Sequence, residues 1–382
     1  MARNKKIKTL SVFGTRPEAI KFAPLIKLMG KDKSLISKVC VSGQHQEMLR
    51  QVLDLFDIAP DYDLRVMQSN QNPADVMSKI LNALTPILSK ENPGMVLVQG
   101  DTVTALAGAL AGYYAHIPVG HIEAGLRTGD RYQPFPEEIN RRLISHLASL
   151  HFAPTKLNYQ NLLKENISAK DIIITGNTVI DALFLTVKKN ARHPSGYWRR
   201  RLQSADEVVR SDKRFILVTA HRRENFGKGL EHITAAIKKI ARSQPEVNII
   251  YPVHLNPNVS RPVYQRLRGL PNVYLIRPLD YETFVYLLNH CHFILTDSGG
   301  VQEEAPSLGK PVLVMRNKTE RPEAVKAGAV KLIGAEEKKI FNEVSRLLKD
   351  KKYYEKMAQA HNPYGDGKAA QNILRSIKNY YA

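Results

Sequence analysis

The segment IKTLSVFGTRPEAIKFAPLIKLM, residues 7–29, decides the fold. Its first part, Ile7–Phe13, is a short apolar run rich in β-forming residues, and an amphipathic stretch follows from Ile20 to Met29. The turn between them, Gly14–Glu18, contains a glycine and has the spacing of a helix capping box at Thr15 and Glu18. A strand that passes through a short turn into a helix is the repeating unit of a parallel sheet covered by helices on both faces.

The same alternation of strand and helix patterns continues on both sides of one interruption. Further strands are predicted at Lys38–Ser42, Met95–Gln99, Pro118–Ile122, Leu150–Ala153, Ile172–Thr175, Phe215–Thr219, Asn248–Pro252, Val273–Ile276, Phe293–Thr296, Pro311–Met315 and Val330–Leu332. The pattern breaks across Lys188–Arg214, where proline, glycine, serine and charged residues replace the periodicity. With 382 residues, the chain exceeds what one core usually holds. We predict an α/β protein with an N-terminal domain at 1–185, a solvated basic linker at 186–213 and a second doubly wound domain from 214.

Composition restricts the class of partner. Lys and Arg number 56 against 36 Asp and Glu, a formal net charge of +20, which suits an anionic partner. The basic residues are scattered apart from one patch at Lys188–Lys213, and neither an RNA-binding aromatic motif nor a zinc-ligand spacing accompanies them. We therefore expect a phosphorylated small molecule, and neither nucleic acid nor a membrane. Two cysteines, Cys40 and Cys291, fit buried core positions in a reducing cytoplasm.

Charged residues follow the predicted strands of the first half. Arg16 comes directly after the first strand, where a guanidinium beside helix N–H groups would bind a phosphate or carboxylate. Asp101 and Glu123 follow two later strands, and Glu137 opens a helix after a proline-rich loop. Carboxylates grouped at one edge repel each other and make poor structural sense, but they suit acid and base groups with separated pKa values.

The second half places basic and polar groups at the corresponding edge. His221 and His254 follow two strands, and Thr296–Glu304 contains Ser298, Gly299 and Gly300 at a predicted helix start. Ser298 is expected to cap that helix, while the two glycines let a pyrophosphate approach its N–H groups. Glu304, one turn further on, can accept hydrogen bonds from ribose hydroxyls.

Read in order, these motifs resemble the non-hydrolysing UDP-N-acetylglucosamine 2-epimerase family. The matching stretches are Gly14–Lys21, Gln99–Thr102, His121–Asp130, Pro136–Asn140, Gly176–Asp181, Thr219–Gly227, Thr296–Pro311 and Thr319–Glu323. The resemblance implies two Rossmann-like domains of the glycosyltransferase-B-like kind with the active site in a cleft between them, and a cytoplasmic homodimer. It also implies that 214–360 binds UDP and that 361–382 forms a helix crossing back to the first domain.

The resemblance further implies a reaction and residues for it. Such enzymes expel UDP from C1 as the C2 proton leaves, giving a glycal, and add UDP back after protonation of the opposite face, which supplies a precursor for surface polysaccharides. Asp101, Glu123 and Glu137 match acid/base positions, with His221 near the diphosphate; Arg16, Ser298, Gly299 and Gly300 match phosphate contacts; Glu304 matches a ribose contact; Lys21 and Arg321 match substrate-binding positions; and Phe284 matches a uracil-side position. Because elimination requires no redox partner, we expect neither a cofactor nor a metal.

A second, regulatory substrate site is implied at Gln44, Arg222 and His254. The family pattern carries an arginine that is absent from the stretch Met67–Gln71, and a glutamine where this chain has Leu279. Alternatives stay open: a glycosyltransferase of the same architecture, a hydrolysing relative that releases free N-acetylmannosamine, an epimerase of a diacetamido uronic acid on UDP, and a basic nucleic-acid binder whose binding would collapse with salt.

Overall fold

The fold comprises two parallel sheets in a computed structural model that describes residues 6–43, 46–66, 71–211 and 213–382, the side chains of Gln46 and Ser195 excepted. The strands of the first sheet are β1 (Ile7–Phe13), β2 (Leu35–Val41), β3 (Tyr62–Asp63), β4 (Met95–Gln99), β5 (Val119–Ile122), β6 (Leu150–Ala153) and β7 (Ile172–Ile174). Those of the second are β8 (Phe215–Thr219), β9 (Asn248–Pro252), β10 (Val273–Ile276), β11 (Phe293–Thr296), β12 (Val312–Val314) and β13 (Val330–Leu332).

Helices alternate with these strands. In the first half they are α1 (Arg16–Met29), α2 (Gln46–Leu55), α3 (Pro73–Glu91), α4 (Val103–Tyr114), α5 (Glu137–Leu147), α6 (Lys156–Lys164) and α7 (Thr178–Asn190). The others are α8 (Ser195–Leu202), α9 (Asp206–Arg210), α10 (Lys228–Ser243), α11 (Pro257–Leu267), α12 (Tyr281–His290), α13 (Val301–Ser307), α14 (Pro322–Ala327), α15 (Glu337–Lys349), α16 (Lys351–Ala358) and α17 (Ala369–Tyr380). Within the described ranges, no helix is both long and apolar enough to cross a membrane.

Each sheet has the strand order of a doubly wound fold. The first runs β3-β2-β1-β4-β5-β6-β7 and the second β10-β9-β8-β11-β12-β13, with every neighbouring pair parallel. The order reverses beside β1 in one sheet and beside β8 in the other, and ligands of such folds bind at the carboxyl ends of strands near that point. The predicted α/β class with two Rossmann-like halves is confirmed.

The chain divides into two compact units, one of residues up to Phe184 together with Tyr364–Ala382, the other Leu185–Pro363. Helix α17 therefore belongs to the first unit, where the Asp181 carboxylate accepts the backbone N–H groups of Ala369 (3.2 Å) and Ala370 (2.9 Å). Those bonds satisfy donors that a helix start otherwise leaves unpaired.

Segment 186–213, which was predicted to be a solvated basic linker, is instead largely helical and partly buried. It completes α7 and forms α8 and α9, and it buries Trp198, Leu202 and Val208. Trp198 and Leu202 are four residues apart, which places them on one face of α8, and Val208 adds a buried side chain from α9; Arg199 and Arg200 are exposed. The segment is folded into the second unit because that apolar face has a core to cover.

Close packing of α4 on the first sheet fixes the loop that follows β4. A Cβ atom at Gly108 would lie 2.9 Å from Val98 Cγ1, and one at Gly112 would lie 2.9 Å from Val119 Cγ2. The helix begins where the Thr102 side chain accepts the backbone N–H of Ala105 at 3.0 Å. The loop before Thr102 is thus held between a buried strand and a helix without room to move outward.

Candidate functional site

The loops after β1 and β4 are joined by one buried carboxylate. Glu18 Oε2 accepts the backbone N–H groups of Gly14 (3.0 Å) and Thr15 (2.7 Å), and Oε1 accepts the hydroxyl of Thr102 (2.7 Å). Burial raises the pKa of Glu18, opposed chiefly by the Thr102 hydrogen bond. The predicted capping-box pair is confirmed, and it leaves Arg16 as the half-buried first residue of α1.

Glu123, directly after β5, is surrounded by hydrogen-bond donors. Its Oε1 contacts the Lys21 ammonium and accepts from the amide of Asn177 at 3.0 Å, while Oε2 contacts the amide of Gln99. The residue has a positive φ of 64°, an unusual backbone conformation for a glutamate, and its side chain is 8% exposed. A cation and two amides all favour negative charge on this carboxylate, which suits a base.

Asp101, after β4, lies in a different environment. Its carboxylate contacts the Arg141 guanidinium, and its backbone carbonyl accepts the side-chain amide of Asn140 at 2.9 Å. Burial raises the pKa of Asp101, Glu123 raises it further, and Arg141 opposes both. The side chain is 26% exposed, so the carboxyl can meet a ligand. A carboxyl group whose proton is retained more strongly than usual suits an acid.

Helix α5 begins with two adjacent glutamates that have different surroundings. Glu138 is fully buried, accepts the backbone N–H groups of Thr128 (3.1 Å) and Gly129 (3.3 Å), and pairs with Arg141. Glu137 Oε2 is buried and has no hydrogen-bond partner among the described residues. Glu138 therefore holds the loop in place, whereas Glu137 keeps an acceptor that a ligand can use.

In the second unit, Asp297 organises the loop after β8. It is fully buried and accepts the backbone N–H groups of His221 (2.9 Å) and Arg222 (2.8 Å) and the amide of Asn225 (3.0 Å). The His221 ring stacks on His254 with centroids 5.5 Å apart. Burial lowers the pKa of His221, Asp297 opposes this, and the charges of His254 and Arg222 lower it further.

The glycine loop after β11 lies beneath two guanidinium groups. A Cβ atom at Gly299 would lie 2.7 Å from Arg321 Nη1 and 3.4 Å from Arg222 Nη2. Arg321 is oriented by Glu303, to whose Oε1 its Nε donates at 2.5 Å. Two cations above a loop without side-chain bulk form a surface suited to phosphate.

The prediction that Ser298 caps the following helix is wrong. Helix α13 starts at Val301 with Gly300 as its N-cap, and no side-chain cap bond is present. Ser298 precedes the helix by a turn: its N–H donates to the Thr296 hydroxyl at 2.9 Å, and its carbonyl accepts from Gln302 at 3.1 Å. Gly299 and Gly300 stand between Ser298 and the first helical residue, so Ser298 lies two positions before the N-cap and cannot cap the helix.

Glu304 and Phe284 lie on α13 and α12 of the second unit. Glu304 is buried, and its Oε1 accepts the hydroxyl of Tyr281 at 2.7 Å. Tyr281 is the first residue of α12, and Phe284 lies half-buried one turn later on the same helix. The Tyr281 hydroxyl thus fixes the orientation of the Glu304 carboxylate.

Several contacts at these loops were not predicted from the sequence. Gln99, Asn177, Arg141, Asn140, Asp297 and Tyr281 bind predicted site residues, and most of them fall inside the motifs quoted above. Gln44 and residues 67–70 lie outside the described residues. Among those that the structure describes, no group of three His, Cys, Asp or Glu side chains could hold a metal ion. Cys40 and Cys291 are buried as predicted, and burial raises the pKa of each thiol to about 12.

Sequence comparison places the chain among known epimerases. Residues 27–378 match the family profile described as UDP-N-acetylglucosamine 2-epimerase. The enzymes of that name from Yersinia pestis and Escherichia coli K12 are 55% and 56% identical to it over 374 and 373 residues, which cover 98% of this chain and 99% of theirs.

Solved structures agree with the sequence relatives. The Neisseria meningitidis UDP-N-acetylglucosamine 2-epimerase, bound to UDP-N-acetylglucosamine, is 49% identical with a TM-score of 0.90, covering 98% of this chain and 100% of that one. The Methanocaldococcus jannaschii enzyme, in complex with UDP-N-acetylglucosamine and UDP, is 33% identical with a TM-score of 0.81, covering the same shares. The chain therefore belongs to the UDP-N-acetylglucosamine 2-epimerase family of isomerases.

Proposed function

We propose that the protein interconverts UDP-N-acetylglucosamine and UDP-N-acetylmannosamine by eliminating UDP and adding it back, without releasing free sugar. The observation that carries the proposal is the pair of carboxyl groups with opposed environments: Glu123 among a cation and two amides, and Asp101 with a raised pKa. The relative from Neisseria meningitidis, bound to UDP-N-acetylglucosamine, supports the choice of substrate.

The elimination requires a base at C2 and a stabilised leaving group at C1. The C2 proton has no carbonyl beside it, so its removal is feasible only as the C1–O bond breaks and its electrons leave with UDP. Glu123 is the base in this proposal, because its donors keep it charged before the reaction. The C2–H electrons form the C1–C2 double bond of the glycal.

The return step requires an acid that protonates the opposite face of C2. Asp101 takes this role in the proposal, since burial raises its pKa and it holds a proton more strongly than an ordinary aspartic acid. A UDP oxygen then adds to C1, which completes the epimer. The two carboxyl groups exchange protonation states in a turnover and re-equilibrate with solvent. Glu137, whose buried Oε2 has no partner among the described residues, is proposed as a third acid/base group.

The departing diphosphate carries negative charge that must be stabilised. Arg321 and Arg222 above the Gly299 loop are suited to this. Ser298, Gly299 and Gly300, together with Arg16 and Lys21, are proposed as further substrate contacts. His221 is proposed beside the leaving oxygen, Glu304 at the ribose and Phe284 at the uracil.

A second binding site for substrate is proposed at Arg222, His254 and Gln44. The stacking of His254 on His221 and the position of Arg222 beside Gly299 support it, because a ligand at these groups would touch neighbours of the diphosphate site. We expect the wild-type protein to show sigmoidal kinetics and His254→Ala to show hyperbolic kinetics.

We also propose that the protein is a cytoplasmic homodimer and that its product is a precursor for surface polysaccharide synthesis.

The test follows the protein and UDP-N-acetylglucosamine in deuterated water by proton NMR. We expect UDP-N-acetylmannosamine with deuterium at C2 and no free sugar, and loss of exchange in Glu123→Gln and Asp101→Asn. Free UDP with N-acetylmannosamine would instead indicate hydrolysis. Unchanged substrate without exchange at C2 would refute the proposal for this sugar and turn attention to the diacetamido uronic acid.

A further inference from the structure

A buried carboxylate on α12 has no role in the proposed reaction. Glu282 follows Tyr281 in the first turn of α12, and its side chain is almost fully buried. Its Oε1 lies 3.0 Å from His193 Nε2, and its Oε2 accepts the hydroxyl of Tyr197 at 2.6 Å. The Glu282 backbone carbonyl accepts the amide of Asn190 at 3.1 Å. One short segment of chain thus supplies three groups to a single residue.

The same segment also binds the N-cap of α12. The Arg201 guanidinium contacts the carboxylate of Asp280, which caps α12 by accepting the N–H of Thr283 at 2.8 Å. Arg201 lies over the Tyr197 ring at 4.5 Å from its centroid. The first turn of α12 is therefore already capped by Asp280, and Arg201 fixes the capping group itself.

Ring stacking makes the contact between segment 190–201, here called the anchor, and α12 rigid. His193 and Tyr197 stack with centroids 3.8 Å apart and planes 4° apart. Trp198, the one tryptophan of the sequence, stacks on Tyr286 of α12, also at 3.8 Å. Stacked rings in fixed rotamers hold their polar atoms in place at little further cost in entropy. Segment 190–201 and α12 therefore form one packed body.

We propose that His193, Tyr197 and Arg201 are positioning residues that set the affinity for UDP through the first turn of α12. That turn carries Tyr281, whose hydroxyl orients Glu304 at 2.7 Å, and it leads directly into the turn that carries Phe284. The inference rests on the proposed function, in which Glu304 meets the ribose and Phe284 the uracil. Loosening the anchor lets the turn shift, and the nucleotide contacts weaken while the carboxyl groups of the first unit are untouched.

The test uses variants that remove one atom group each. Tyr197→Phe keeps the ring against His193 and Arg201 but loses the hydroxyl that binds Glu282. His193→Phe keeps the stack but loses Nε2. Arg199→Met, an exposed position on the same helix, is the matched control. Calorimetry gives the Kd for UDP, turnover gives kcat and KM, and the Trp198 emission maximum verifies that α8 remains packed.

We expect the Kd for UDP and the KM to rise about threefold to tenfold in Tyr197→Phe and His193→Phe, with kcat within about twofold of wild type. Arg199→Met should match wild type. Variants with a lowered Tm and an unchanged Kd would show a merely structural anchor and overturn the inference. Should one variant fail to fold, the other decides. Wild-type protein that neither binds UDP nor epimerises would refute the proposed function instead, so the two failures are distinguishable.

Discussion

For the ion pair between Lys21 and Glu123 we predict that a double variant regains the stability that a single variant loses but does not regain activity. Both side chains are largely buried, with 13% and 8% exposed. Removing one member of such a pair leaves a poorly solvated charge, whereas removing both leaves none. Glu123→Gln deprives the Lys21 ammonium of its carboxylate and should cost about 3 kcal/mol of unfolding free energy. Lys21→Met should cost less, about 2 kcal/mol, because Gln99 and Asn177 still donate to Glu123.

The double variant Lys21→Met/Glu123→Gln should be no less stable than the better single variant. The coupling free energy of the cycle is then about 3 kcal/mol or more, well above the ~0.5 kcal/mol expected for independent sites. Urea unfolding of the four proteins at pH 7.5 measures it. In the same four proteins, C2 exchange in deuterated water should be lost wherever Glu123 is absent, since restored stability does not restore the base.

Two results would refute this reasoning. Additive effects on unfolding would mean that the ammonium and carboxylate do not interact as placed. C2 exchange at near wild-type rate in the double variant would remove Glu123 from the role of base, whatever its contribution to stability. Full loss of exchange in Lys21→Met alone is compatible with the proposal, because Lys21 is also a candidate substrate contact.

Two further predictions concern a buried acid and a glycine loop. Burial raises the pKa of Asp181 to about 6 from 3.8, so its stabilising contribution is complete below pH 3.8 and is lost as pH rises through 6. Asp181→Asn should therefore remove about 2 kcal/mol of pH dependence between pH 4 and pH 8, and identical urea profiles would contradict this. Gly299→Ala should weaken UDP binding at least tenfold, because the added Cβ would lie 2.7 Å from Arg321 Nη1. Gly196→Ala, where a Cβ meets nothing within 4 Å, is its control, and equal UDP affinities in calorimetry would refute the placement of Arg321.

The strands were predictable because most of them are continuously apolar. Eight of the twelve predicted strands, such as Met95–Gln99 and Phe215–Thr219, have the bounds that the structure shows. Strands buried on both faces are continuous apolar runs, so their ends are marked by the polar residues that follow. The two-residue strand β3 was missed. Tyr62 and Asp63 pair with Cys40 and Val41 at the sheet edge, and so short a pairing has no periodicity of its own.

The segment 186–213 shows where charge misleads a sequence-based reading. Three consecutive arginines, Arg199 to Arg201, dominate its composition, and the apolar residues around them, Trp198, Leu202 and Val208, are too few to define a period. They are nevertheless buried, while Arg199 and Arg200 on the same helix as Trp198 are exposed.

The placement of Asp101 and Glu123 after neighbouring strands was predictable, but the partners of their carboxylates were not. Asp101 and Glu123 each follow a strand, and strand ends converge at one edge of a parallel sheet, so their proximity follows from topology. Asn177 lies 54 residues from Glu123, and Arg141 lies 40 from Asp101. Tertiary packing decides which amide or guanidinium reaches a carboxylate so far away in the sequence, and no local sequence pattern encodes that packing.

Burial separates the structural carboxylate Asp297 from the proposed catalytic ones more sharply than sequence position does. Asp297, Glu123 and Asp101 all follow strands, yet Asp297 is inaccessible and its acceptors are occupied by two backbone N–H groups and an amide. A group that reacts with a sugar must touch it, so Asp297 can act only by holding His221 and Arg222. Asp101 combines partial exposure with a raised pKa, and Glu123 combines slight exposure with three donors. In the proposed reaction, Glu123, which three donors surround, takes the C2 proton, and Asp101, whose pKa burial raises, gives one back.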